Sequence, residues 1–351
     1  MDFSSPHSAP NLGSVIPHRN PCTSLSYHAD GKHLFIANEK DSKVTLVDAI
    51  QSGKPIGEYK CDREGVSCLS ATHNDYCVLA AGSKQTTVQY WSLYDNKILR
   101  KFKGHTSTIY DINVCPTEDM FLTSSNDQTV RLWNMEQAGC VAKMDLPKES
   151  VGVSSQPRAA FDSTGMVFTI LAEMARGEGH YIHLYDARNY QGGAFSELKL
   201  TSNAINEALV THRVPPPPPT APGSPPLTIN KISFNESGNR ILVHAAEGYA
   251  LVLDGYEGTI QRIFRSSRGS AVVSCFTPDE MSLLVGSDMD GLVDVYDLQS
   301  GMVVKTLEGG HGLPGSNAGP ITAVACNPKF AQIATGGAVN TRYVQLYCLL
   351  W

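Results

Sequence analysis

The chain has 351 residues, of which 42% are hydrophobic and only 18% are charged. This composition is typical of a globular protein and excludes a disordered chain or a coiled coil. The formal net charge of -6 at pH 7 provides no large positive field, so we expect no direct binding to nucleic acid. We also expect no membrane segment and no secretory signal, because neither apolar pattern occurs in the sequence.

Nine cysteines occur without any CxxC pair, and most of them lie within apolar runs. Such cysteines are typical of reduced, buried side chains in a cytosolic or nuclear protein.

A five-residue pattern recurs seven times along the chain. It consists of a β-branched or small residue, any residue, an apolar residue, a large apolar or aromatic residue and usually Asp. The copies begin at Val44, Val88, Val130, Ile182, Ala250, Val293 and Val344. Three of the spacings, 44, 42 and 43 residues, match the ~40–45-residue period of a four-stranded propeller blade. Because each copy alternates like a strand, the sequence predicts an all-β, seven-bladed propeller that occupies residues 1–351 as a single domain.

The last copy of the pattern stands close to the end of the chain. Only Leu349, Leu350 and Trp351 follow it, too few for the outer strand of a seventh blade. The segment from Leu12 to His18 precedes the first complete blade and has no other role. We therefore predict that this N-terminal strand completes the last blade and closes the ring.

The third blade resembles a WD repeat. The resemblance rests on Gly104-His105, on the run TSSND that ends at Asp127, and on Trp133-Asn134. In WD repeats a His, a Ser or Thr, an Asp and the Trp form hydrogen bonds within one blade. The resemblance therefore implies a structural tetrad of His105, Ser124, Asp127 and Trp133. Thr123 and Ser125 are alternatives to Ser124 for the hydroxyl group.

Longer stretches are similar to the WD-repeat protein 82 family, the propeller subunit of COMPASS-type histone methyltransferases and of nuclear type 1 phosphatase complexes. They are YWSLYDNKILRKFKGHT from Tyr90, FTPDE, VGSDMDG and GPITAVACNPKFAQIATGGA. The resemblance implies a non-catalytic scaffold in the nucleus. Its implied partners are a SET-domain methyltransferase subunit, a phosphatase-targeting scaffold and the C-terminal tail of RNA polymerase II.

The three longest spacings between copies, 52, 68 and 51 residues, indicate enlarged loops. The largest surplus is a Pro-rich insertion at residues 207–227, between blades 4 and 5. Because strand direction alternates, all of these loops are predicted to lie on one face, which we expect to bind partners. Five residues in loops of this class are candidate contacts to a partner: Lys84, Arg176, Arg268, His311 and Arg342.

The Pro-rich run itself has two interpretations. It could present a PxxP-type ligand to an aromatic groove, or it could be an insertion without a binding role, which we favour because such runs are identified by composition alone.

Motifs for catalysis, cofactors or metals lack their required context. Gly310 to Gly315 formally matches GxGxxG, but no helix is predicted to follow it. His180 and His183 are predicted to point to opposite sides of a strand. We therefore expect no enzymatic activity, no cofactor and no metal. Two alternatives stay open: a WD-repeat adaptor in a cytoplasmic complex, and a propeller enzyme with a site in the central channel.

Overall fold

Four-stranded antiparallel sheets account for nearly all of the secondary structure. The computed structural model describes residues 10–17, 21–40, 42–51, 53–61, 65–145, 156–217, 227–266, 271–287, 291–307, 320–337 and 343–349. Within these ranges the strands form seven sheets, and the predicted class of seven-bladed β-propeller is confirmed. The chain divides into two compact units, which are described separately.

The first unit combines Met1–Lys101 and Ser266–Trp351. It contains blades 1, 2, 6 and 7, apart from the last two residues of β9. Blade 1 consists of β2 (Ser24–Tyr27), β3 (His33–Asn38), β4 (Lys43–Asp48) and β5 (Lys54–Lys60). Blade 2 consists of β6 (Cys68–Ala71), β7 (Cys77–Ala81), β8 (Thr87–Ser92) and β9 (Lys97–Lys103). Blade 6 consists of β22 (Ala271–Phe276), β23 (Ser282–Ser287), β24 (Val293–Asp297) and β25 (Val303–Leu307). Blade 7 consists of β26 (Ile321–Cys326), β27 (Gln332–Gly337), β28 (Tyr343–Leu349) and β1 (Pro10–Pro17).

The second unit, Phe102–Arg265, contains blades 3, 4 and 5. Blade 3 consists of β10 (Ile109–Val114), β11 (Met120–Ser125), β12 (Thr129–Asn134) and β13 (Cys140–Asp145). Blade 4 consists of β14 (Arg158–Phe161), β15 (Val167–Glu173), β16 (Gly179–Asp186) and β17 (Ser196–Thr201). Blade 5 consists of β18 (Ile229–Phe234), β19 (Arg240–Ala245), β20 (Tyr249–Asp254) and β21 (Ile260–Arg265).

The N-terminal strand completes the last blade, as predicted. β1 pairs antiparallel with β28, so that Ile16 lies opposite Val344 and Ser14 lies opposite Leu346. Ile16 is only 2% exposed and belongs to a core cluster shared by blades 7 and 1. The order β1-β28-β27-β26 therefore satisfies an edge of the last sheet that would otherwise be unpaired.

Neighbouring blades within each unit pack through their apolar faces. In the first unit, one cluster joins Phe35 and Leu46 of blade 1 to Val78 and Trp91 of blade 2. In the second unit, a larger cluster joins blades 4 and 5. Short strands that alternate or are buried on both faces supply these contacts, which explains the low fraction of charged residues.

A helix that the sequence interpretation did not include lies between blades 4 and 5. Helix α1, Ser202–Thr211, follows β17, and its last five residues overlap the start of the predicted Pro-rich insertion at 207–227. Thr201 caps it, because its hydroxyl accepts the backbone N–H of Ala204 at 3.2 Å. In the described part of the chain, no helix has the length and the apolar character needed to cross a membrane.

The contribution of β1 can be measured at two adjacent residues. We expect Ile16→Ala to lower the free energy of unfolding by about 2–5 kcal/mol, because it leaves a cavity in a packed core. Val15, which is 36% exposed, is the matched control, and Val15→Ala should change the same quantity by less than about 0.5 kcal/mol. Urea denaturation monitored by tryptophan fluorescence provides both values. Equal losses for the two variants would contradict the role of β1 in the core.

Candidate interaction site

A chain of buried hydrogen bonds joins two strands and two loops of blade 3. The indole N–H of Trp133 donates to the hydroxyl of Thr123 at 2.8 Å. That hydroxyl lies 2.7 Å from Nε2 of His105, and Nδ1 of His105 lies 2.8 Å from the carboxylate of Asp127. The partners are all satisfied if Thr123 donates to Nε2 while Nδ1–H of His105 donates to Asp127.

The charges of this network follow from its surroundings. Burial lowers the pKa of His105, although Asp127 acts against the shift, so the imidazole is neutral at physiological pH. Burial alone would raise the pKa of Asp127, but hydrogen bonds from the Thr129 hydroxyl, the Thr106 N–H and His105 lower it to about 2. Because the network is buried and satisfied internally, its role is to hold blade 3 together.

The choice of Ser124 for this network is corrected by the structure. Trp133 lies opposite Phe121 in the pairing of β11 with β12. Side chains on one face of a strand are two residues apart, so Thr123 shares the face of Phe121 and Trp133. Ser124 points to the other face. The structure therefore brings His105, Asp127 and Trp133 together with Thr123.

The candidate partner contacts fall into two groups. Lys84 is exposed in the loop between β7 and β8 of the first unit. Arg176 is exposed in a single 3-10 turn between β15 and β16 of the second unit, where its φ is 61°. Arg268, His311 and Arg342 lie outside the described residues.

Two of the enlarged loops meet within the second unit. The backbone N–H of Ser202 donates to the carbonyl of Glu178 at 2.9 Å. Its hydroxyl donates to the carbonyl of Gly177 at 3.3 Å. The turn that carries Arg176 is thereby fixed against the start of α1. We call residues 174–178 together with residues 202–217 the α1 surface.

One side of the α1 surface is packed into the core, and the other side is exposed. Ile205, Ala208 and Leu209 are buried in the core that blades 4 and 5 share. Beyond the helix, the hydroxyl of Tyr249 donates to the carbonyl of Pro215 at 2.7 Å. Pro215 is thereby fixed against blade 5, and residues 218–226 of the predicted Pro-rich insertion lie outside the described residues.

The outer side of α1 presents a small mixed surface. Val210 is 79% exposed, and Arg213, just after the helix, is exposed as well. The sequence interpretation did not identify α1 or Arg213. A signal was present, however, because Ile205, Ala208 and Leu209 follow the i, i+3, i+4 spacing of an amphipathic helix after a capping Thr.

A buried histidine lies beside the α1 surface. His180, in β16, is 3% exposed, and its Nδ1 has no hydrogen-bond partner among the described residues. Burial lowers its pKa from 6.5 to about 4. His180 is therefore neutral at physiological pH. His183 has a separate environment and lies 3.0 Å from Glu197 through its Nε2.

Comparison with known proteins identifies the repeat. Residues 53–92 and 96–134 match the family described as "WD domain, G-beta repeat". These segments are WD40 repeats. The first match begins before β5, the last strand of blade 1, and ends with β8, the third strand of blade 2. The sequence repeat is thus staggered by one strand relative to the blade.

Several proteins are similar to this chain over most of its length. WD repeat-containing protein 82 of Drosophila melanogaster is 28% identical, over 89% of this chain and 86% of the relative. COMPASS component SWD2 of Saccharomyces cerevisiae is 26% identical, over 92% and 91% of the two chains. Set1 complex component swd2 of Schizosaccharomyces pombe is 27% identical, over 77% and 69%. The resemblance to the WD-repeat protein 82 family is confirmed.

The corrected tetrad leads to a stability test. We expect Thr123→Val, which keeps the shape but removes the hydroxyl, to lower the free energy of unfolding by about 1–3 kcal/mol. The buried Trp133 N–H and His105 Nε2 would each lose their partner. Ser124→Ala leaves those hydrogen bonds intact and is the matched control. Denaturant unfolding measures both, and a larger loss for Ser124→Ala would contradict the assignment.

The buried His180 leads to a test of pH dependence. Below its unfolded-state pKa of about 6.5, the unfolded chain binds a proton that the folded chain excludes until about pH 4. The free energy of unfolding should therefore fall as pH decreases through this window, by up to about 3 kcal/mol from this residue. His180→Leu should remove that part of the fall. Unfolding curves from pH 7 to pH 4 measure it, and identical slopes for the two proteins would contradict the prediction.

Proposed function

We propose that the chain is a non-catalytic scaffold subunit of a nuclear chromatin and transcription complex. The complex is a COMPASS-type histone lysine methyltransferase, a type 1 phosphatase complex of transcription termination, or both. The observation that carries the proposal is the near end-to-end similarity to COMPASS component SWD2, which covers 92% of this chain and 91% of that protein. Similarity over both whole chains favours a shared role as well as a shared repeat.

The architecture of the blades suits a scaffold. Strands of four to eight residues, held by antiparallel pairing and by apolar packing between neighbours, leave little freedom to lose on binding. A partner segment that is extended or disordered then bears most of the ordering cost. The proposed partners are a SET-domain methyltransferase subunit, a phosphatase-targeting scaffold and the C-terminal tail of RNA polymerase II.

Within the second unit, the α1 surface is the proposed docking position. It combines two exposed cations, Arg176 and Arg213, with the exposed side chain of Val210. In a chain with a net charge of -6, local arginines on fixed backbone are suited to acidic groups of a partner segment. Lys84 in the first unit is proposed as a separate contact.

Partner capture tests the proposal directly. The tagged full chain, expressed in its own organism, is purified from nuclear and cytoplasmic fractions and its partners are identified by mass spectrometry. We expect a SET-domain methyltransferase subunit or a type 1 phosphatase subunit in the nuclear material. Recovery of neither, or of an unrelated cytoplasmic complex alone, would contradict the nuclear scaffold role.

Variants of the α1 surface locate the contact in the same experiment. The double variant Arg176→Glu and Arg213→Glu should lose a partner that the wild-type chain retains, with unchanged thermal unfolding. Arg188→Glu, an exposed arginine between β16 and β17 of blade 4, is the charge-matched control. Retention by the double variant would exclude the α1 surface as the docking position.

The Pro-rich segment is tested by replacing residues 216–226 with a Gly/Ser linker of equal length. This design spares α1 and the hydrogen bond that Tyr249 makes to Pro215. We expect the partners to be retained. Loss of a partner would instead identify the Pro-rich segment as a binding element.

A further inference from the structure

Two histidines and an aspartate converge in the turn between β2 and β3 of blade 1. Nδ1 of His28 lies 3.2 Å from one carboxylate oxygen of Asp30, and Nδ1 of His33 lies 2.7 Å from the other. The three potential ligand atoms lie within 4.8 Å of one another. His28 is 5% exposed, so the cluster is partly enclosed.

The turn itself fixes this arrangement. The Asp30 carboxylate accepts the backbone N–H groups of Lys32 at 2.7 Å and of His33 at 3.2 Å. Gly31 has a φ of 70°, and a Cβ there would meet the Asn327 side chain at 2.5 Å. Glycine is therefore favoured in the turn that places the Asp30 carboxylate between the two imidazoles.

The two ring nitrogens of His28 have unequal surroundings. The Asp30 N–H points at Nδ1 of His28 at 3.3 Å, which requires Nδ1 to be an acceptor. An oxygen of the Asp30 carboxylate lies 3.2 Å from the same nitrogen, so a negative charge stands directly beside Nδ1. The buried Nε2 has no hydrogen-bond partner among the described residues.

In other blades, the residue equivalent to His28 closes the turn by accepting the backbone N–H of the residue five positions later. His28 does not. In blade 6 the equivalent residue, Thr277, accepts the N–H of Ser282 through its hydroxyl at 3.1 Å. In blade 5, Asn235 accepts the N–H of Arg240 at 2.8 Å. In blade 1 the corresponding N–H, that of His33, is accepted by the Asp30 carboxylate. The imidazole of His28 accepts the Asp30 N–H instead and lies beside the carboxylate.

We propose that His28, Asp30 and His33 form a binding site for one divalent transition-metal ion, with Zn²⁺ as the best-suited ion. Each histidine contributes Nδ1 and Asp30 contributes a carboxylate oxygen, and at His28 the metal takes the place of the 3.3 Å hydrogen bond from the Asp30 N–H. Imidazole nitrogens with one carboxylate are ligands that Zn²⁺ prefers, whereas Mg²⁺ and Ca²⁺ prefer oxygen ligands alone. Solvent completes the coordination.

A neighbouring carboxylate supports the site from the other side of His28. Oδ1 of Asp75, in the β6–β7 turn of blade 2, lies 3.7 Å from Nε2 of His28. A histidine that binds a metal through one nitrogen usually donates the other N–H to a carboxylate, which orients the ring. Asp75 is 73% exposed in its side chain and can approach Nε2 without disturbing the core.

Calorimetric titration of the metal-free, reduced full chain with Zn²⁺ tests the proposal. We expect one equivalent bound at this site. His33→Asn should weaken that binding by about 100-fold or more, and Asp75→Asn should weaken it by about 10-fold. His183→Asn, in blade 4, is the matched control and should not change it. Thermal unfolding without metal verifies that each variant is folded, and His28→Asn replaces His33→Asn if the latter is not.

Cobalt distinguishes this site from the cysteines. Bound Co²⁺ should show ligand-field bands without the intense thiolate-to-metal charge-transfer band that cysteine ligands produce. A thiolate band, no equivalent of Zn²⁺ bound, or binding by His33→Asn (or by His28→Asn in its place) equal to that of the wild type would overturn the proposal.

Discussion

Pairing between β1 and β28 is the contact on which the first unit depends. This unit is assembled from two stretches of chain, Met1–Lys101 and Ser266–Trp351, and the intervening residues belong to the second unit. Backbone hydrogen bonds of β1 with β28 and the core around Ile16 join the two stretches directly. An incomplete blade 7 would expose an edge strand and open that core at once. The ends of the chain therefore carry more of the stability of this unit than their position in the sequence implies.

The blades could be predicted from the sequence because their cause is local. Strand alternation and turn residues recur at a fixed period, and counting strands was sufficient to assign β1 to the last blade. Helix α1 was not predicted, since its residues were grouped with the prolines that follow. The capping Thr201 and the spacing of Ile205, Ala208 and Leu209 were visible, but the prolines of the same segment dominated its composition.

The site residues were harder to predict because they depend on register and on contacts between distant segments. Three adjacent hydroxyl residues could complete the tetrad. The pairing of Phe121 with Trp133 excludes Ser124, and the hydrogen bonds of Trp133 and His105 select Thr123. The position of the Arg176 turn against the start of α1 depends on hydrogen bonds from Ser202 to Gly177 and Glu178. The pattern of His28, Asp30 and His33 matches no familiar metal motif, and the position of Asp75 beside His28 follows from the packing of blade 2 on blade 1.

The one-strand offset between the sequence repeat and the blade affects how the chain can lose or gain a repeat. Residues 53–92 supply one strand to blade 1 and three strands to blade 2. Loss of one repeat by an internal deletion would leave the strands on either side of the cut able to join into a new complete sheet. Loss of a segment that is not a whole number of repeats would leave a sheet with too few or too many strands. Changes in repeat number are thus tolerated at the level of the individual sheet, whereas the terminal joint between β1 and β28 has no such substitute.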